Sequence, residues 1–152
     1  MIPADARARA AAVDPAVSVC ISAPAGSGKT GLLVHRLLVL LARVESPERI
    51  VAITFTRKAA AEMRARVQEA LEAAAREAPA TSPHEQALVG AAARVLHRDR
   101  SLGWGLLGNP SRLSIQTIDS FCGELTRQLP ILSGCGGPLG VSDDAGELCR
   151  LA

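Results

Sequence analysis

The octet APAGSGKT at residues 23–30 constrains this chain more than any other stretch, because of what lies on either side of it. Before it, AVSVCISA at 16–23 is apolar and β-branched, and short enough for a buried strand. After it, Leu32, Leu33, Arg36, Leu37, Leu40 and Leu41 recur at three-and-four spacing, which predicts a helix beginning near Lys29 with these residues on one face. Strand, glycine loop and helix in that order put two glycines where the backbone turns and the positive end of a helix begins.

That arrangement suits a polyphosphate. Gly26 and Gly28 permit backbone angles that aim successive N–H groups inward, and the helix adds its own dipole. Within the pattern [AG]xxxxGK[ST], Ala23 takes the first position, Pro24, Ala25, Gly26 and Ser27 the variable ones, and Gly28, Lys29 and Thr30 close it. Lys29 is expected to reach the β and γ phosphates, and the Thr30 hydroxyl to ligate Mg²⁺. ATP with Mg²⁺ is the implied ligand, held by residues 23–30.

The remaining chain alternates helix and strand signals. Residues 4–12 read as a short Ala-rich helix ended by Asp14 and Pro15. IVAITF from Ile50 predicts a second strand. A long helix follows, from about Arg57 to Glu77, with Ala60, Met63, Val67, Ala70, Leu71 and Ala74 as its apolar stripe. APATSP at 78–83 is a link to a helix at about 84–98, and SLGWGLLGNP an irregular connection. RLSIQ from Arg112 predicts a third strand, TIDSFCGELTRQL a helix stopped by Pro130, and 132–140 a glycine-rich loop. Short apolar strands separated by helices imply a parallel α/β sheet, with ligands bound beyond the carboxyl ends of the strands.

Two further clusters fall at those strand ends. Thr54, Phe55, Thr56, Arg57 and Lys58 follow the second strand, and Thr117, Asp119, Ser120 and Phe121 follow the third. Hydroxyls, main-chain N–H groups and cations there can hold phosphate oxygens, and a phenyl ring can stack on a base. Helix capping is the plainer role for Thr56, Thr117 and Ser120.

Bulk properties add exclusions. A formal net charge of +2 argues for no partner by itself, so any nucleic-acid contact must rest on local clusters. Cys20, Cys122, Cys135 and Cys149 are widely spaced and form no CxxC pair, so packed or incidental free thiols are expected rather than a zinc or redox site. MIPADARARA lacks the features of a signal peptide, and no window reaches the length of a membrane span; a cytoplasmic location is expected.

APAGSGKT, then ITFTRKAAAEMRARV at 53–67, then IQTIDSFC at 115–122, together resemble motifs I, Ia and the TxHS-type motif of the UvrD-like superfamily 1 DNA helicases. Within them the similarity is greatest to the RecB and AddA branch, the helicase-nuclease subunits of exonuclease V. The resemblance extends over nearly the whole chain. It implies a partial RecA-like P-loop NTPase domain, α/β with a parallel sheet flanked by helices, that steps along single-stranded DNA and unwinds duplex. It also implies a role in double-strand break repair and recombination, and the possible partner it suggests is a second helicase-nuclease subunit. On this resemblance Lys29 and Thr30 serve ATP and Mg²⁺, while Phe55, Thr56, Arg57, Lys58, Thr117, Asp119 and Ser120 line the DNA track.

The chain departs from the family pattern at three places. The amino-terminal glutamine that reads adenine has no counterpart, and Asp5, Arg7 and Arg9 are the polar residues of that region. Asp119 stands where the third motif usually has His, in a position to cap the helix or orient Thr117. No apolar strand ending in Asp-Glu is present, since Asp143 and Asp144 follow the glycine-rich GGPLGVS. Residues 1–152 therefore read as the amino-terminal part of the ATP-binding domain, truncated before the Walker B motif, with weak or absent ATPase activity expected in isolation. Two other readings stay open at this point: a small P-loop phosphotransferase using Arg94, Arg98 and Arg100 as a lid, and a non-catalytic nucleotide-binding module.

Overall fold

Leucine and alanine on three helices make the core. In a computed structural model, which describes residues 6–24 and 26–129, the order is α1 (Ala6–Val13), α2 (Lys29–Leu41), β1 (Val51–Thr54), α3 (Arg57–Ala75), α4 (Pro83–Leu102), β2 (Ser114–Thr117) and α5 (Ile118–Gln128). Single 3₁₀ turns at Pro47–Arg49 and Pro110–Arg112 precede the two strands. Leu38 and Leu41 of α2, Val67 and Leu71 of α3, and Ala91, Ala92 and Val95 of α4 are fully or almost fully buried against one another. The small Ala91 and Ala92 let α4 lie close to both neighbours, which fits a core poor in aromatic rings.

The stripe expected on α3 is the stripe that packs: Ala60, Met63, Val67, Ala70 and Leu71 are buried and Ala74 adds its partly buried methyl. On α2 the expected face is corrected. Leu32, Val34, Leu37, Leu38 and Leu41 point inward, Leu33 is 43% exposed, and Arg36 lies off the core. KTGLLVHRLLVLL has apolar residues on nearly every side, so two rotations satisfy the spacing, and packing against α4, α1 and α3 goes with the one observed. Arg36 instead gathers the end of α1: it donates to the carbonyls of Ala12 at 2.8 Å, Asp14 at 2.9 Å and Val17 at 2.8 Å.

The two strands pair in parallel, Val51 opposite Ser114 through Thr54 opposite Thr117, with α3 and α4 forming the crossover between them. Their register is supported from outside the ladder. Arg112 donates to Glu48 at 2.6 Å, joining the turn before β2 to the turn before β1, and with the Ser46 hydroxyl it holds the Glu48 carboxyl down to about 2. Arg64 reaches from α3 to the carbonyl of Ile115 at 2.6 Å.

The expected first strand is a second correction. Residues 16–24 form no strand, and Val17 and Val19 are exposed. A β-branched run becomes a strand only beside a partner with free ladder groups, and among the described residues neither β1 nor β2 is hydrogen-bonded to it. The sheet is correspondingly open. Ile53 is 50% exposed and Val51 nearly as much, whereas both faces of a parallel sheet are ordinarily covered.

The connection after α4 is irregular, as expected, and it is held by specific hydrogen bonds. Gly103 closes the helix with φ 66° and Gly105 follows with φ 69°, both left-handed conformations that suit glycine. The buried Asp99 carboxylate accepts from the N–H groups of Gly105 at 2.6 Å and Leu106 at 3.3 Å, which turns Trp104 and Leu106 into the core. Asp99→Ala orphans these donors and should cost about 2–4 kcal/mol. Urea denaturation measures this, and a loss under about 0.5 kcal/mol would show that water replaces the carboxylate without cost.

Cys20 and Cys122 are free and exposed, the incidental alternative of the expectation and not the packed one; Cys135 and Cys149 lie outside the described residues, as do Asp143, Asp144, Pro130 and the loop at 132–140. No helix among the described residues is long and apolar enough to cross a membrane.

Candidate functional site

Gly26 and Gly28 carry φ of 77° and 82°, the left-handed angles that a loop wrapping its N–H groups around an anion requires. Gly28 is also the N-cap of α2. It contributes no side-chain cap, so the N–H groups of the first turn are left for something else to satisfy. The Ser27 hydroxyl is enclosed and has no hydrogen-bond partner. Ala25 lies outside the described residues.

Lys29 is folded back onto its own loop. Its Nζ donates to the carbonyls of Ala23 at 2.6 Å and Pro24 at 2.5 Å. A cation resting on neutral carbonyls is readily exchanged for one resting on a phosphate oxygen, since charge-assisted bonds are about twice as strong. Thr30, half-buried in the first turn, sits beside it. An open cleft of about 530 Å³ runs along the loop, walled by α1, by residues 19–24 and by the start of α2.

These groups fit a nucleoside triphosphate. An uncapped helix start, an orphaned hydroxyl and a cation resting on neutral carbonyls all suit the same oxyanions. Magnesium is a different matter, because among the described residues no group of three His, Cys, Asp or Glu side chains could hold a metal ion. Thr30 is the hydroxyl available, and phosphate oxygens and water would have to supply the other positions.

The second cluster forms at the carboxyl ends of β1 and β2. Because Thr54 pairs with Thr117, the segments 55–58 and 117–120 emerge side by side, each opening a helix. Phe55 is 91% exposed, with its ring against no core at all. Arg57 and Lys58 are exposed in the first turn of α3. Thr56 caps that helix, its hydroxyl accepting from the Ala59 N–H at 3.1 Å, and the Thr54 hydroxyl donates to the Thr56 carbonyl at 3.0 Å.

Thr117 is placed differently from Phe55. Its side chain is buried, accepts from the Ser120 N–H at 3.2 Å and shares a 2.9 Å hydrogen bond with the Ser120 hydroxyl. Capping is what Thr117 does in this structure, and Ser120 rather than Asp119 orients it. Asp119 is exposed in the first turn of α5, where a negative charge favours the helix dipole. Phe121 is half-buried. The loop at 23–30 belongs to α2 and the strand-end cluster to α3 and α5, and the two groups are linked through the packing of α2 on α3.

Two contacts here escape a reading of the sequence. Arg9, on α1, donates to the Ser27 carbonyl at 3.0 Å, and Arg36 ties α1 and the segment after it to α2. Both span 18 residues or more along the chain, so no local pattern announces them.

Residues 4–141 match the UvrD/REP helicase N-terminal domain family. The chain is similar to an ATP-dependent helicase/nuclease subunit of Desulfitobacterium hafniense, 37% identical over 145 residues, which are 91% of this chain and 9% of that protein. The protein of the same description from Anoxybacillus flavithermus is 37% identical over 134 residues, 86% of this chain and 9% of the relative. That from Geobacillus thermodenitrificans is 40% identical over 113 residues, 72% of this chain and 8% of the relative. The chain thus spans about a tenth of the length of these relatives. No solved structure matches it.

Proposed function

The chain belongs to the UvrD/REP helicase N-terminal domain family, and from that premise we propose that it supplies the ATP-binding loop and part of the DNA track of an ATP-dependent DNA helicase. The observation that carries the reading is the pairing of an uncapped, glycine-turned helix start holding a retractable Lys29 with an exposed Phe55 and cations on the adjoining strand ends.

ATP, once bound, supplies the free energy for movement, and the residues of this chain hold it. Main-chain N–H groups of 26–30 take the phosphates, Lys29 leaves the Ala23 and Pro24 carbonyls for the terminal phosphates, and the Thr30 hydroxyl assists Mg²⁺. Phe55 offers its face to an unstacked base, while Arg57 and Lys58 neutralise the single strand. Thr56, Thr117 and Ser120 set the starts of α3 and α5, so they shape the track through the main chain more than through their hydroxyls.

The open sheet face suggests the architecture. A RecA-like domain covers both faces of its parallel sheet, and Val51 and Ile53 are left largely uncovered by the described residues. Further helices would cover that face, and further strands, including one ending in an Asp-Glu pair, would join the sheet at its edge. The relatives are described as helicase/nuclease subunits, and that likeness supports the reading of a role in DNA break repair beside a second protein chain.

Fluorescence anisotropy with a labelled single strand across a salt series tests the DNA half. Lys58→Ala should reduce the slope of log affinity against log salt by about 0.7, the value for one lost phosphate contact on a single strand. An unchanged slope would make Lys58 a solvated charge and move the track elsewhere.

A further inference from the structure

Helices α2 and α4 lie side by side and run in the same direction. His84, at the start of α4, stands 3.2 Å from the point that a Cβ on Gly31 would occupy, and at the far end Nε of Arg98 donates to the Val44 carbonyl at 3.0 Å. Along their later turns the two helices leave an open groove of about 690 Å³. Arg43 stands on the α2 wall, and Arg94, His97 and Arg98 stand on the α4 wall. The rest of the lining is small and apolar, from Val39, Ala42 and Ala93. Arg94 and Arg98, which with Arg100 would serve a phosphotransferase as a lid, thus face this groove. Its α2 wall begins about 15 Å along the helix from Lys29, at the helical rise per residue.

The charge of the groove is not offset by its own walls. No Asp or Glu lines it among the described residues, and no ion pair between described side chains includes Arg43, Arg94 or Arg98. Arg98 is half-buried and spends Nε on the Val44 carbonyl, whereas Arg43, Arg94 and His97 are exposed. The charge of Arg94 is felt by its neighbours. His35, on α2, is held below the usual imidazole range by burial first, and then by His84 and Arg94. Neighbouring helices pack with axes about 8–10 Å apart, so the channel between them has the width of one sugar-phosphate backbone rather than of a double helix. No aromatic ring lines it among the described residues, so it offers phosphates a cation and bases no stacking face.

We propose that the groove between α2 and α4 is a second contact for the backbone of single-stranded DNA, with Arg43 and Arg94 neutralising phosphates from opposite walls and Arg98 tying the walls together. This rests on the DNA reading above and adds a site that shares no residue with the strand ends at 55–58 and 117–120. Helix α2 then carries the phosphate loop at its start and one wall of a strand contact at its end.

The test is fluorescence anisotropy of the full chain with a labelled single strand, a duplex of the same length and polyglutamate, each across a salt series. The double variant Arg43→Gln, Arg94→Gln keeps the Arg98 tie. The control, Arg66→Gln with Arg76→Gln, makes the same change in net charge at exposed residues outside the groove. On the single strand the groove variant should lower the slope of log affinity against log salt by about 1.4, or about 0.7 for each lost phosphate contact. At about 50 mM salt its affinity should fall about tenfold or more, while the control stays within about twofold of the wild type. An unchanged slope, or an equal drop in the control, would make these arginines solvated charges and overturn the proposal. A loss confined to the duplex or to polyglutamate would give the groove to another partner and overturn it too. Failure of the strand-end track looks different: Lys58→Ala would keep the wild-type slope while the groove variant loses about 1.4.

Discussion

Lys29→Ala is expected to lower the affinity for ATP by about a hundredfold and to leave the fold intact. In the absence of nucleotide, Nζ makes two bonds, one to the part-buried Ala23 carbonyl and one to the exposed Pro24 carbonyl. Water replaces these at small cost, so the unfolding free energy should change by no more than about 1 kcal/mol. With nucleotide present, the same ammonium would face the most negative part of the ligand, where loss of a charge-assisted bond is worth about 1.5–3 kcal/mol. Parallel isothermal titration and thermal melting separate the two effects. A variant that binds ATP as the wild type does would remove Lys29 from the site, and one that melts far below it would make Lys29 a structural residue.

Leu38→Ala should be among the most damaging changes to the described core, costing about 3–5 kcal/mol. Leu38 is fully buried on α2, within the cluster shared with α3 and α4, and its truncation leaves a cavity that neighbouring helices close only in part. Small domains have about 5–15 kcal/mol to lose, so the change would take a large part of the stability and raise the unfolded fraction at least about a hundredfold. The functional consequence follows from position. Leu38 anchors the helix whose first turn is the phosphate site, so the fraction of variant that remains folded should bind nucleotide less tightly as α2 loosens. Urea denaturation gives the first number, and a cost below about 1 kcal/mol would mean that α2 does not depend on this cluster.

What could be read in the sequence was whatever depends on neighbours along the chain. The positive-φ glycines, the start of α2 at Lys29, the stripe of α3 and the strands beginning near Ile50 and Arg112 all follow from local turn chemistry and periodicity. What could not be read depends on distant partners. AVSVCISA has the composition of a strand, yet a ladder needs a second strand and none of the described ones lies alongside. The leucines of α2 fit two faces equally, and only packing against other helices decides between them. The buried Asp99 looks like any helix-end charge until its bonds to Gly105 and Leu106 show that it folds the following turn.

The candidate site divides along the same line. Phe55 and Lys58 could be picked out because a strand end beside a helix start leaves them exposed. Thr117 has the same sequence context as Thr56 but is buried, since β2 presents it on the face covered by α3. Arg9 could be noticed as a polar residue in the right region, but its reach to the Ser27 carbonyl depends on how α1 is folded over the loop by Arg36.

The central claim is that residues 23–30 hold ATP, and it is tested most directly by titrating Mg²⁺-ATP into the isotopically labelled chain while following backbone amide resonances. The account predicts saturable shifts at Gly26, Ser27, Gly28, Lys29 and Thr30, with smaller ones at the amides flanking Arg9. Saturable shifts confined to other surfaces, or none at concentrations well above those at which ATP-driven enzymes saturate, would contradict it.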